Sequence, residues 1–99
     1  MAKDLTVSYP VVITHDNTDV DYPYEVYIPA FEGYTQGRNM ANAILMARDF
    51  IGLGLSAMDL REDGKALPHP GALPNKTQDD QTVMLVEVNV DDYQRRQDK

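Results

Sequence analysis

Two histidines and sixteen carboxylates are the side chains in this 99-residue sequence that ordinarily ligate metal ions. There is no cysteine, which excludes disulfides and thiolate metal sites and fits a reducing compartment. His15 and His69 lie on different segments, and neither belongs to a His-x-x-x-His pattern, so no metal site is expected. His69 stands between two prolines in a predicted loop. Because exposed loops often carry binding function, it is a candidate partner-binding residue, with a solvated loop residue as the alternative.

No catalytic motif accompanies these residues. The sequence has no nucleophile elbow around a serine, no glycine-rich phosphate loop, and no basic cluster larger than the pair Arg95 and Arg96. Nine basic residues against sixteen acidic ones give a net charge of −7, which would repel a nucleic-acid backbone. The acidic charge suits either a basic protein partner, whose encounter it would accelerate, or solubility alone.

The length and composition predict one folded domain. A chain of 99 residues is enough for a single small core, and 42% hydrophobic residues should allow it to fold. No apolar run approaches the roughly 18 residues of a membrane span, and the N-terminus lacks the apolar core of a signal peptide. We therefore expect a cytoplasmic protein.

Three strands are predicted in the first part of the chain. Residues 9–15 (YPVVITH) and 22–29 (YPYEVYIP) are rich in β-branched and aromatic residues, and an Asp- and Asn-rich turn joins them as an antiparallel hairpin. A short third strand is expected at 34–37. The glycines around it, Gly33 and Gly37, are assigned to the backbone needs of the turn and strand end, because glycine adopts conformations closed to other residues.

One long amphipathic helix is predicted over residues 39–61, with Asn39 as its N-cap. Its apolar residues recur at three- and four-residue spacing and form one stripe. The stripe consists of Met40, Ala43, Ile44, Ala47, Phe50, Ile51, Leu55 and Met58. Gly52 and Gly54 each weaken the helix by roughly 1 kcal/mol relative to alanine. They permit close packing, or they mark a bend or an early break.

Residues 82–90 (TVMLVEVNV) form the last predicted strand. Its nearly continuous apolar first half predicts a central position in the sheet, and a right-handed crossover would pair it parallel to an earlier strand. Since one helix covers only one face, the other face should stay partly exposed. Strand parity assigns Val12, Tyr27, Val83 and Leu85 to that face. An exposed apolar patch usually marks a partner surface, so these four are candidate partner-binding residues.

Five segments follow one another in an order that is more specific than any one of them. They are YPVVITHD, YEVYIPAFEGYTQG, NMANAILMARDFIGLGL, LPHPGAL and VMLVEVNVDDYQRR. In the second segment, Pro29 and a short acidic turn precede Gly33 and then a Thr-x-Gly sequence that ends at Gly37. Together the segments, which span about residues 9–96, resemble the HicB family of bacterial and archaeal antitoxins.

The resemblance implies a partial ribonuclease-H-like fold: an α+β domain of order β-β-β-α-β, with a mixed sheet and one long helix on one face. It implies a protein that is not an enzyme and needs no cofactor or metal. Its partner would be a HicA-like basic toxin that cleaves messenger RNA and that the antitoxin binds and blocks. The expected site is therefore a protein-binding surface.

The resemblance also divides the chain. Residues 9–93 correspond to the shared domain, 1–8 to an N-terminal segment and 94–99 to a polar tail. Many family members continue into a C-terminal DNA-binding domain. That domain is absent here, either removed or never present, so DNA binding is doubtful. A homodimer or higher oligomer is expected, because small one-helix sheets often cover an exposed face or edge by pairing.

A ribonuclease-H-like topology also raises the alternative of a metal-dependent nuclease. Active members of that fold hold carboxylates on the first strand, on the first helix and near the fourth strand, where they clamp two metal ions. Asp16, Asp49 and Asp91 occur in this order. Sixteen acids make such a trio common by chance, and the first predicted strand contains no acid. The remaining alternative is a catalytically inactive regulator that binds another protein.

Overall fold

A computed structural model describes residues 5–57, 71, 74 and 78–97. This part of the chain contains four strands, a short 3-10 turn (Pro29–Phe31) and two helices. In chain order the strands and helices are β1 (Thr6–His15), β2 (Tyr24–Ile28), β3 (Gly33–Gly37), α1 (Met40–Ala57), β4 (Gln81–Asn89) and α2 (Val90–Gln97). The predicted order β-β-β-α-β is confirmed.

Strands β2, β3 and β4 begin and end within two residues of their predicted bounds, and two other boundaries differ more. Strand β1 begins at Thr6, three residues before the predicted strand. Helix α2 spans the predicted boundary between the domain and its polar tail, because Val90 and Tyr93 are buried and hold the helix against the core. The last part of the predicted long helix, residues 58–61, lies outside the described residues.

The four strands form one sheet of order β3-β2-β1-β4, and every neighbouring pair is antiparallel. The predicted mixed sheet and parallel pairing of the last strand are therefore wrong. So is its central position: β4 lies at the end of the sheet, and β1 is central. A helix between two strands does not by itself determine whether the strands pair parallel or antiparallel, so α1 did not fix the direction of β4. The apolar run of β4 arises because the strand carries apolar residues on both faces of the sheet, and the helices do not cover one of these faces.

The core lies between one face of the sheet and the two helices. Strand β1 contributes Tyr9, Val11 and Ile13, all nearly inaccessible. The other strands contribute Val26, Ile28, Val86 and Val88, and α1 contributes Ala43, Ala47, Ile51 and Leu55. The predicted helix stripe thus faces the core, while Met46, which lies off the stripe, is exposed.

Helix α1 begins as its sequence predicts. The Asn39 side-chain oxygen accepts a hydrogen bond from the backbone N–H of Asn42 at 2.8 Å, which satisfies one of the free donors of the first turn. The Asn42 side-chain oxygen accepts one in turn from the backbone N–H of Arg38 at 2.9 Å. This reciprocal pair fixes the direction in which the chain leaves β3.

Two glycines of β3 are required by the close approach of α1. A Cβ on Gly37 would lie 2.5 Å from the Ala43 Cα, and one on Gly33 would collide with the Phe50 ring. The turn conformation assigned to Gly33 belongs to its neighbour: Glu32 has a φ of 48°, in the left-handed region. The conformational reason given for Gly33 and Gly37 is therefore wrong, and the reason is helix-to-strand contact.

Two glycines in α1 should respond in opposite directions to the same substitution. A Cβ on Gly52 would lie 2.5 Å from Cδ2 of Tyr93, whereas one on Gly54 meets only Phe31, at 3.8 Å. Gly52→Ala should lower the free energy of unfolding by about 1–3 kcal/mol through overpacking. Gly54→Ala should raise it by up to about 1 kcal/mol through helix propensity. Urea unfolding of both variants tests this, and equal effects would contradict the packing account.

The turn between β1 and β2 is organised by Asp16. Its Oδ1 accepts hydrogen bonds from the Thr18 hydroxyl at 2.6 Å and from the Thr18 backbone N–H at 2.9 Å. These bonds, the hydroxyl first, hold the pKa of the Asp16 carboxyl below its ordinary value. Because this folded-state pKa is lowered, the stabilisation is present above the unfolded pKa of about 3.9 and is lost as the pH falls through the folded value.

Thr18→Val removes the hydroxyl and keeps the shape of the side chain. We expect the pKa of Asp16 to rise in this variant, measured by NMR titration of its carboxyl carbon. The variant should be less stable than the wild type at pH 6, and this difference should shrink as the pH falls through the folded-state pKa of Asp16. Asp16→Asn, which cannot titrate, is the control. An unchanged Asp16 titration in Thr18→Val would contradict the assignment.

Candidate protein-binding surface

The face of the sheet opposite α1, here called the open face, carries four of the five residues predicted to bind a partner. The strand register places Tyr34 opposite Tyr27 and Tyr27 opposite Val12. Val12 in turn lies opposite Val83. These four side chains form a single line across all four strands, here called the apolar row. Leu85 lies beside the row, two residues further along β4.

The surface is most accessible at the two edges of the sheet. Tyr34, at the β3 end of the apolar row, is 63% exposed, and Leu85, beside the β4 end of the row, is 54% exposed. Tyr27, Val12 and Val83 between them are half-buried. The rings of Tyr27 and Tyr34 are 4.7 Å apart with an interplanar angle of 33°, so they form one aromatic surface. The parity assignment made from sequence for Val12, Tyr27, Val83 and Leu85 is confirmed as a placement on one face.

Tyr34 was missed by the sequence reasoning. Its position in a short edge strand gave little pattern to read, since β3 has five residues and two of them are glycines. The available signal was its spacing: Tyr34 and Gln36 alternate with the glycine and threonine positions that face α1. Tyr34 belongs with the candidate partner-binding residues because it is the most exposed member of the row.

Polar residues border the apolar row on both sides. On one side the register aligns Gln36, Glu25, Thr14 and Gln81 across the four strands. On the other side, beyond the apolar pair Pro10 and Leu85, Glu87 lies opposite Ser8. Glu25 and Glu87 are both exposed. An apolar strip with an acidic and polar border has the composition of a protein–protein contact, in which a dry centre is surrounded by a wet rim.

His15 does not join this surface. His15 lies at the end of β1, where its ring stacks on that of Tyr24 at 4.7 Å with an interplanar angle of 25°. His69, the fifth predicted partner-binding residue, lies outside the described residues. Within the described ranges, no group of three or more histidine or acidic side chains is arranged to hold a metal ion.

The three carboxylates of the nuclease alternative are not brought together. Asp16 follows the last residue of β1, whereas the Asp91 carboxylate accepts a hydrogen bond from the Leu5 N–H just before the first residue of that strand. Ten strand residues separate two points by about 30 Å, while a two-metal site needs ions roughly 4 Å apart. The Asp49 carboxylate accepts a hydrogen bond from the Tyr93 hydroxyl. Asp16, Asp91 and Asp49 thus each serve a local contact.

No helix in the described part of the chain is long and apolar enough to cross a membrane.

Tyr9 is a further titratable residue with a shifted pKa, because burial raises the pKa of its hydroxyl. Its ring packs edge-on against Phe31 at 5.2 Å, so Tyr9 belongs to the core and not to the open face.

Comparison with known proteins gives one informative similarity. No protein-family model matches the chain, and no curated protein matches it significantly. Among solved structures, one chain of a toxin–antitoxin complex from Streptococcus pneumoniae aligns with a TM-score of 0.75 and 27% sequence identity, over 90% of this chain and 73% of that chain. This small α+β protein with its antiparallel four-stranded sheet is therefore similar in fold to a component of a bacterial toxin–antitoxin complex.

Proposed function

We propose that this protein is the antitoxin of a type II toxin–antitoxin system, related to HicB. It binds a HicA-like toxin that cleaves messenger RNA and inhibits it by covering its active or RNA-binding surface. The contact is made by the open face of the sheet, and the protein acts in the cytoplasm. The similarity to a chain from a toxin–antitoxin complex supports the antitoxin role.

The apolar row is the observation that supports the open face as the binding site. Tyr34, Tyr27, Val12 and Val83 line up across the sheet, and α1 and α2 both lie on the opposite face. Monomeric proteins rarely leave a continuous apolar strip exposed, and tyrosines such as Tyr27 and Tyr34 are enriched among the residues that dominate binding energy.

Charge supports the choice of a basic partner. A toxin that holds RNA needs a basic surface, and this chain carries a net charge of −7. Glu25 and Glu87 place part of that charge at the border of the apolar row. Opposite potentials would speed the encounter, and the apolar row would then hold the complex.

We further propose that the protein inhibits by binding, without catalysis of its own. The dispersal of Asp16, Asp49 and Asp91 supports this over the nuclease alternative. The order β-β-β-α-β supports a partial ribonuclease-H-like fold in which the catalytic trio is missing. Self-association as a homodimer is part of the same proposal, because β4 and β3 both end the sheet with an open edge in the described part of the chain.

The first test is co-expression with a small basic protein encoded by a neighbouring gene. That protein alone should arrest growth, and this chain should restore it and co-purify with it in a stable complex. Absence of any complex, or cleavage of RNA by this chain alone with Mg²⁺, would contradict the proposal.

The second test maps the surface on that complex. Tyr34→Asp places a charge in the apolar row and should raise the dissociation constant at least about thirtyfold, the equivalent of roughly 2 kcal/mol. Tyr27→Asp should act in the same direction. Leu53→Asp is the matched control, because Leu53 is 49% exposed on α1, away from the open face. Calorimetric titration measures binding, and thermal unfolding checks that all three variants fold.

The comparison between the two faces decides the location of the site. If Leu53→Asp abolishes binding and Tyr34→Asp leaves it unchanged, the toxin binds the helix face and the open-face assignment is wrong. The growth assay reports the same distinction in cells: rescue should fail with Tyr34→Asp and persist with Leu53→Asp.

A further inference from the structure

Strand β4 ends the sheet, and its hydrogen bonds determine which of its residues face outward. The His15 N–H donates to the Asp80 carbonyl at 3.0 Å, and the Val90 N–H donates to the Leu5 carbonyl at 2.8 Å. In an antiparallel pair, hydrogen-bonded residues alternate with residues whose N–H and C=O point the other way. The even-numbered residues of β4 therefore bond to β1, and its odd-numbered residues present their backbone groups at the outer edge.

Part of this outer edge is already occupied. The Glu87 carbonyl accepts a hydrogen bond from Nε of Arg48 at 3.0 Å, and the Gln81 N–H donates to the Gln78 carbonyl at 3.2 Å. Between these positions, the outward N–H and C=O groups of Val83 and Leu85 meet no partner in the described part of the chain. They are two donors and two acceptors in a row.

The sequence of β4 does little to block pairing at this edge. Natural edge strands are usually guarded by lysine, proline or a bulge. Strand β4 contains neither lysine nor proline, and Glu87 is its one charged residue. The side chains of Val83 and Leu85 are apolar, and Leu85 is 54% exposed. Such an edge invites another strand.

We propose that the occupant is a second copy of this chain, paired antiparallel through β4 across a two-fold axis at Met84. Val83 of each copy then lies opposite Leu85 of the other, and the two pairs exchange four backbone hydrogen bonds. These bonds use only the groups left open at Val83 and Leu85. The result is one continuous eight-stranded sheet. This inference rests on the self-association that is part of the proposed function, and it specifies which surface the two copies share. The dimer needs no toxin to form.

The neighbouring registers are less favourable. An axis at Leu85 would set Val83 opposite Glu87, whose carbonyl is already held by an arginine. An axis at Val83 would set Leu85 opposite Gln81, whose N–H is already bonded to the Gln78 carbonyl. With the axis at Met84, Glu87 lies opposite Gln81, and no like charges within β4 face each other. The open hydrogen-bonding groups thus select this register, and the charges of β4 are compatible with it.

The proposed dimer also extends the open face. The apolar row ends at Val83, and in the dimer the next side chain in line is the exposed Leu85 of the second copy, which lies beside the buried Pro10 of its β1. The same holds in the opposite direction. Each row therefore continues onto the second copy, which a random partner strand would not ensure. This continuity, together with the self-complementary edge, favours a second copy over a strand from another protein.

A proline at the outer edge of β4 tests the surface. The N–H of Leu85 points outward, so Leu85→Pro removes a donor from the dimer contact while leaving the bonds to β1 intact. Gln36→Pro is the matched control. Because the Asp16 N–H donates to the Pro23 carbonyl, β2 bonds to β3 through its even-numbered residues, and the Gln36 N–H points away from the sheet at the other edge. Both substitutions therefore remove an outward N–H.

Sedimentation equilibrium over a range of concentrations measures the outcome. We expect the wild type and Gln36→Pro to reach twice the chain mass of 11.1 kDa, and Leu85→Pro to dissociate with a constant at least about tenfold higher. A wild type that stays monomeric at all concentrations, or a dimer lost only in Gln36→Pro, would overturn the proposal. Circular dichroism verifies that each variant retains its fold.

Cysteine crosslinking tests the register and does not depend on a proline variant folding. The chain has no cysteine of its own. At the proposed axis, Met84 faces Met84 of the second copy with Cα atoms about 4.5 Å apart, within disulfide range. Met84→Cys should form a covalent dimer under mild oxidation. Leu85→Cys should not, because its counterpart lies on a diagonal about 7–8 Å away. The reverse result would refute this register.

These measurements use the chain alone, so their outcome is separate from that of the toxin-binding test. If the chain is monomeric but Leu85→Pro abolishes a complex with the basic partner, the edge of β4 accepts a strand from that partner, and a second copy is the wrong occupant. If the dimer forms as described but no toxin binds, the dimer stands and the proposed function fails.

Discussion

The close contact of α1 with one face of the sheet is the constraint on which the rest of the structure depends. At Gly37 the helix backbone lies so near to β3 that a single methyl group would collide with Ala43, and at Gly33 the Phe50 ring occupies the place of a side chain. Tyr93 of α2 lies in the same way on Gly52. Both helices are thereby committed to one side of the sheet. In the described part of the chain, the open face is the face of the sheet that neither helix covers.

Local features of this fold could be predicted from the sequence, and the long-range pairing could not. Two local features were predicted correctly: the N-cap at Asn39, and the alternation of side chains along β2 that places Tyr27 on the face away from α1. Both depend only on residues that are close in sequence. The direction and position of β4 depend on where residues 58–80 lead the chain, which no local pattern records. The apolar run of β4 resembled a doubly covered strand, but its second apolar face is part of the uncovered surface.

The same limit applies to the candidate surface. Parity alone placed Val12, Tyr27, Val83 and Leu85 on one face, because a strand repeats every two residues whatever its partners are. That three of them form one row with Tyr34 depends on the register between strands, which the sequence does not specify. For the same reason the carboxylates of the nuclease alternative kept their order along the chain and lost their proximity in space.

Approximate free energies of burial and association indicate how the open face and the outer edge of β4 would act together. Full burial of a large apolar side chain contributes about 1.5–3 kcal/mol, and most of the apolar row is already half-buried, so covering one row adds on the order of 5 kcal/mol. Association itself costs roughly 4–15 kcal/mol, so a single row is a weak contact. The proposed dimer places two rows side by side on one sheet.

A toxin bound across both copies would bury both rows while it meets the association cost once. It would also bind the dimer more tightly than the monomer, and by mass action it would therefore stabilise the β4 seam. Binding of the toxin and pairing of the edges are in this way expected to reinforce each other, although they use different groups: side chains on the open face in one case, and the backbone of Val83 and Leu85 in the other.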